Sequence, residues 1–170
     1  STPAYGQGAA IQNLTPPYGQ SFTPSLSAVG FIQLKLNDAL AGDGGATVWV
    51  NLISGSISGP VIGTSVPDVL GGGWAGIFTF LFPTPVPVTP GVQYFFTPVV
   101  QFGSTPVDIV ISGDYFYAGG DLYNAGSIFG HSDFWFREGT VEVPEPSSWA
   151  LFLLGGGAFA VFRRMKANTS

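Results

Sequence analysis

The stretch Ala46-Thr47-Val48-Trp49-Val50-Asn51-Leu52-Ile53 decides the fold class. Val48, Val50 and Leu52 recur at every second position, and Thr47, Trp49 and Asn51 stand between them. A period of two puts one set on a core and the other toward solvent, which is the mark of a half-buried strand. A helix would spread the same residues around its whole circumference. Gly42-Asp43-Gly44-Gly45 before the stretch and Gly55-Ser56 after it supply turns at both ends.

Similar runs lie on either side. Strands are expected at residues 20–23, 30–36, 60–66, 74–82, 92–102, 107–112, 114–117 and 133–143. Phe78, Phe80 and Phe82 share one face of the most hydrophobic of them. Pro83, Pro85 and Pro87 follow, and each removes a ladder donor, so that stretch cannot be a central strand. Pro90-Gly91 suits a type II turn, with proline fixing φ and glycine taking the positive φ that the third position requires. No part of the body carries a 3.6-residue period. Eight or so short strands joined by Gly/Pro turns predict an all-β fold, an antiparallel β-sandwich of jelly-roll type, with an up-and-down barrel as the alternative. Residues 1–24 read as an extended N-terminal arm, residues 25–142 as the sandwich, and residues 143–170 as a separate tail.

Composition narrows the function. Of 170 residues only 9% are Asp, Glu, Lys or Arg, 45% are hydrophobic and 15% aromatic. That is too apolar for intrinsic disorder. Five Lys and Arg in total cannot neutralise a stripe of phosphates, so nucleic acid is not an expected partner. There is no Cys, which removes disulfides, thiolate metal sites and cysteine nucleophiles together. Residues 1–143 hold nine acids against two bases, Lys35 and Arg137, whereas the tail holds one acid and three bases. Ser1-Thr2-Pro3 reads as a start exposed when a secretory signal was removed.

The tail carries the most specific pattern. Val143-Pro144-Glu145-Pro146-Ser147 comes first, and Ser147 or Ser148 can cap the helix that follows. Residues 149–162 are without charge and include Trp149, Leu151, Leu154, Gly155, Gly156, Gly157 and Phe162. Arg163, Arg164 and Lys166 close the run. These 14 residues make a helix of about 21 Å, short of a ~30 Å hydrocarbon core, but basic side chains at the end snorkel and lengthen the span. A soluble helix would show a polar face, and this one has none. A transmembrane helix in membrane lipid is therefore expected. The basic end is cytoplasmic by the positive-inside rule, and the body lies in the periplasm. The small surface of Gly155, Gly156 and Gly157 would allow close packing on helices of a larger membrane complex.

Motif, helix and basic end in this order resemble the PEP-CTERM sorting signal of Gram-negative bacteria. Val143 to Ser147 match its motif residue for residue, and Arg163, Arg164 and Lys166 match its basic end. The resemblance covers residues 143–166. It implies export, recognition of Pro144-Glu145-Pro146 by an exosortase (a membrane cysteine transpeptidase), and delivery of the body to the envelope, the cell surface or extracellular polymer. The body is more loosely similar to exported, lectin-like jelly rolls in residues 20–24, 89–94 and 117–136.

Catalytic chemistry has little to work with. A Ser-His-Asp triad would need His131, the one histidine, which sits in a polar turn. Glycoside hydrolysis needs two acids about 5–10 Å apart, for which Asp108, Asp114, Asp121, Asp133 and Glu138 are present by number alone. No enzyme activity is expected. Asp114, Asp121, Asn124 and Asp133 bracket a glycine-rich loop and could clamp a structural Ca2+, the one cofactor in view. Trp74, Tyr115, Tyr117 and Trp135 could stack on a polysaccharide, although aromatics in a sandwich mostly fill its core. The leading expectation is a non-enzymatic, membrane-tethered structural protein. An accessory subunit of a photosynthetic or respiratory complex that caps its periplasmic face and a carbohydrate-binding module are the alternatives.

Overall fold

A computed structural model describes residues 8–38, 44–112, 117–130 and 132–141. In chain order its strands are β1 Gly8–Ala10, β2 Gly19–Phe22, β3 Ala28–Asp38, β4 Ala46–Ser54, β5 Val61–Thr64, β6 Asp68–Leu70 and β7 Ala75–Pro87. There follow β8 Tyr94–Val100, β9 Val107–Ser112, β10 Leu122–Asn124, β11 Ser127–Ile128, β12 Asp133–Phe134 and β13 Phe136–Gly139. Among the described residues the helical content is a single 3-10 turn, Ile11–Asn13. Every strand pairing is antiparallel.

Two sheets result. In the first, β3 pairs β7 on one side and β9 and β13 on the other, and β9 also pairs β1 and β12. The second runs β11-β10-β2-β8-β4-β5, with β6 also on β4. The alternation read in residues 46–53 holds: Val48, Val50 and Leu52 are fully buried while Thr47, Trp49 and Asn51 are half-buried. The inner faces meet through aromatic rings. Phe96 of the second sheet lies 5.0 Å from Phe136 and 6.3 Å from Phe134 of the first, and Phe22 lies 6.2 Å from Phe136. Ile32, Leu34, Leu36, Phe80 and Ile109 line the other side of the same core. This is an antiparallel, all-β body with its core between two sheets, as the turn-punctuated sequence implied.

The N-terminal segment is more than an arm. β1 extends the first sheet and β2 is built into the second, with Ile11, Leu14 and Phe22 in the core. The strand expected at residues 74–82 does not end at the prolines. β7 continues to Pro87 because it is an edge strand of its sheet, where a missing donor costs nothing. Its register jumps from Leu81 opposite Phe31 to Val86 opposite Val29, so Phe82–Pro85 bulge opposite Gly30. The Thr89–Val92 turn is as expected: Val92 N–H donates to Thr89 O and Gly91 has φ +77°.

The long strand expected at residues 133–143 is divided. β3 and β9 pair at residues 36–38 and 107–109 and then part. The chain enters that fork along β9 as β12 and leaves along β3 as β13. Trp135 is at the apex, its N–H donating to Val110 O and its carbonyl accepting from Lys35 N–H. Tyr117, placed by sequence at the end of a strand, is outside any strand, and the rest of that expected strand lies outside the described residues.

Strand directions gather the β2–β3, β4–β5 and β7–β8 turns at one end of the body. The chain leaves β13 at that same end. Here Gly30 is obligatory, since a Cβ would stand 2.8 Å from Val141 N. Val141, the last described residue, therefore lies at the end that carries these three turns.

Candidate functional site

The polar residues singled out by sequence fall into one buried network and several scattered positions. The network begins at Gln20 and Ser21, both fully buried on β2, and Asp133 on β12, which is 2% exposed. Asp133 Oδ1 accepts from Gln20 Nε2 at 2.7 Å, and Oδ2 accepts from Tyr117 N–H at 2.9 Å. Gln20 Oε1 in turn accepts from Phe134 N–H at 3.0 Å. One carboxylate and one amide thus tie the two sheets and an incoming loop together. The hydrogen bonds to Gln20 and Tyr117 offset part of the cost of burying the carboxylate.

Ser21 fixes the loop on the outer side. Its Oγ accepts from Asp121 N–H at 2.7 Å and its backbone N–H donates to Asp121 O at 2.9 Å. The loop crosses so closely that a Cβ on Gly120 would meet Ser21 O, which leaves glycine as the residue that fits. Tyr117 closes the other side, its Oη bonding both Thr23 N–H and Thr23 O, and its ring stands edge-on to Phe136 at 5.0 Å.

These bonds give the expected Ca2+ ligands other duties. Both oxygens of Asp133 are engaged, and Asn124 Oδ1 accepts from Thr15 N–H at 2.8 Å. Asp121 is anchored to Ser21 through its backbone, and Asp114 lies outside the described residues. Among the described residues no three or more His, Cys, Asp or Glu side chains are grouped to hold a metal.

The expected sugar platform is likewise dispersed. Trp74 packs against the core and stands edge-on to Phe78 at 5.2 Å, while its shielded Nε1 finds no acceptor. Trp135 is at the fork, with the Arg137 guanidinium 5.2 Å above its ring. Tyr117 belongs to the network just described, and Tyr115 and His131 lie outside the described residues.

Of the candidate carboxylates, Asp108 and Glu138 are held apart on the first sheet. Asp108 is opposite Asn37 and Glu138 opposite Ile32, five residues apart along β3, or about 17 Å. Glu138 falls in register with the buried Ile32, so it is drawn toward the core. Burial pushes its carboxyl above the usual glutamate range, against the opposing pull of its own backbone hydrogen bond. A raised folded-state value means the fold favours the protonated form. Stability is then lost as pH rises from the ordinary glutamate range through the folded value. Glu138→Gln is accordingly expected to raise the urea midpoint slightly at neutral pH and to leave it unchanged below about pH 4.

Sequence reasoning passed over an open groove at the end opposite the β2–β3 turn. It measures about 480 Å3 and is lined by Ile11, Leu14, Pro16, Tyr18, Val100 and Phe102, among others. Phe102 is fully exposed at its rim. Burial raises the Tyr18 hydroxyl, which donates to Pro98 O at 2.9 Å.

The described body ends two residues beyond β13, at Val141. The next residues decide the address. Residues 142–166 match the PEP-CTERM protein-sorting motif. No curated protein and no solved structure matches the chain. The motif implies export, handling by an exosortase and release to the cell surface, as its five residues Val143, Pro144, Glu145, Pro146 and Ser147 suggested. Those residues lie outside the described ones, as do Trp149, Leu151, Leu154, Gly155, Gly156, Gly157, Phe162, Arg163, Arg164 and Lys166. Among the described residues no helix is long and apolar enough to cross a membrane.

Proposed function

We propose that this chain is a non-enzymatic, jelly-roll-like envelope protein of a Gram-negative cell. A transmembrane helix over residues 149–162 holds it in the inner membrane with the body in the periplasm. Sorting through Pro144-Glu145-Pro146 then places the body at the cell surface or in the extracellular matrix. The observation that carries the reading is the sorting motif at residues 142–166, which begins three residues after the last strand. The body supports a structural or adhesive role. Its buried polar network is consumed in joining sheet to sheet, Trp74 packs edge-on to Phe78 against the core, and the Trp135 ring is covered by the Arg137 guanidinium.

The test replaces Pro144-Glu145-Pro146 by alanines in cells that contain an exosortase. The parent protein is expected to leave the membrane fraction shortened by its tail, and the variant to stay there at full length. Parent protein at full length within a purified membrane complex would instead favour the accessory-subunit reading. A soluble parent that never meets the membrane fraction would refute the tether.

A further inference from the structure

We propose that, while tethered, the body rests on the lipid surface through the end formed by residues 23–27, 55–60, 88–93 and 139–141. This rests on the reading that residues 149–162 enter the bilayer. The chain leaves the body at this end, and the link is short. Seven residues separate Val141 from Trp149, so the eight steps reach about 28 Å fully extended, and the three steps from Val141 to Pro144 reach about 10 Å. A body about 35 Å long, the length of the eleven-residue β3 at ~3.3 Å per residue, cannot turn its far end to the membrane on such a tether.

The chemistry of this end suits that position. Those four segments contain no Asp, Glu, Lys or Arg. Leu26, Val92 and Val141 are 38%, 46% and 45% exposed there. Bonds between and within the turns lower the cost of drying them: Val88 N–H donates to Ser27 O and Gly91 N–H to Pro24 O across two turns, and Gly59 N–H to Ser56 O within one. Asp38, Asp68 and Asp108 sit instead where β3 ends and where β6 and β9 begin, at the opposite end. Anionic headgroups therefore repel the far end, while the four near turns bear no acid of their own. The acids that flank them are Asp121, on the loop bonded to Ser21 and Thr23, and Glu142 and Glu145 of the link. So small an apolar contact is weak for a free protein, but a short tether makes the encounter intramolecular and raises its effective concentration.

The absence of cysteine makes the test direct. Single variants Ser25→Cys, Gln93→Cys, Gln101→Cys and Leu154→Cys of the full chain are labelled with an environment-sensitive fluorophore. They are reconstituted in vesicles of zwitterionic lipid with a minority of anionic lipid, with or without quenchers on the headgroups or acyl chains. The expected result is acyl-chain quenching at position 154, headgroup quenching at 25 and 93, and none at 101. Adding Leu26→Asp and Val92→Asp should abolish quenching at 25 and 93 while leaving 154 unchanged. Quenching at 154 with 25 and 93 no more quenched than 101 overturns the resting surface alone. Shielding of 25 and 93 from a water-soluble quencher without headgroup quenching assigns that end to a second copy and also overturns it. No quenching at 154 removes the tether, and the proposal with it.

Discussion

Phe96→Ala is expected to cost about 4 kcal/mol of folding stability, the middle of the range for deleting a fully buried phenylalanine. Phe96 is on β8, near the middle of the second sheet, and has no solvent exposure. Its ring meets Phe22 at 6.0 Å within its own sheet, and Phe134 and Phe136 at 6.3 and 5.0 Å across the core. Alanine would remove a ring that touches both β12 and β13 from the opposite sheet. The walls of the resulting cavity are strands fixed by ladder hydrogen bonds, so they cannot close on it. Ordinary domains are stable by about 5–15 kcal/mol, so the variant would approach the threshold of folding. Urea denaturation followed by tryptophan fluorescence reads the loss as a lower midpoint at unchanged slope. Phe102→Ala is the matched control: its ring is fully exposed, and a change within about 0.5 kcal/mol is expected. Equal losses from the two variants would show that Phe96 does not hold the sheets together.

Much of the fold was legible because its long strands alternate. Residues 46–53 and 30–36 carry period two over enough positions to fix both the strand and its inward face, and β4 and β3 obey it. Three-residue strands leave no such signal. Asp68–Leu70 and Leu122–Asn124 are too short to show alternation, and their pairing is imposed by β4 and β2. The proline-rich end of β7 misled for a different reason. Proline says that a ladder donor is missing, but not that the strand is an edge where none is needed. Order alone made the tail legible, because a proline motif, an apolar run and basic residues follow one another within two dozen positions. The body's polar residues were not legible. Sequence shows that Asp133 and Asn124 have oxygens to offer, but not that Gln20, Tyr117 and Thr15 already use them. The signal that could have exposed the network was polar Gln20 two positions before Phe22, on what must be the inward face of a strand. A polar residue in a core position demands a partner, and Asp133 is that partner.

Asp133→Ala should therefore be nearly as damaging as the loss of Phe96, at about 3 kcal/mol, for reasons of hydrogen bonding rather than volume. Removing the carboxylate leaves the buried Gln20 Nε2 with Ser21 O alone and takes away the bond that Asp133 Oδ2 accepts from Tyr117 N–H. Asparagine does not rescue the site although it has the same shape. Both oxygens of Asp133 accept, and an amide can present only one acceptor, so its NH2 group must face a donor: Gln20 Nε2 or Tyr117 N–H. Turning the Gln20 amide to receive that group would set its own NH2 against Phe134 N–H, moving the conflict one step along the network. Asp133→Asn is thus expected to lose about 2 kcal/mol, most of what alanine loses. The double variant Gln20→Leu with Asp133→Asn tests the coupling. With the Gln20 donor gone, the asparagine oxygen can serve Tyr117 N–H while its NH2 lies toward the vacated side. The two losses should then sum to less than the single variants predict, by about 1 kcal/mol in a double-mutant cycle of urea midpoints. Strict additivity would mean that the two side chains act independently, and the sheets would then owe their registration to the aromatic core alone.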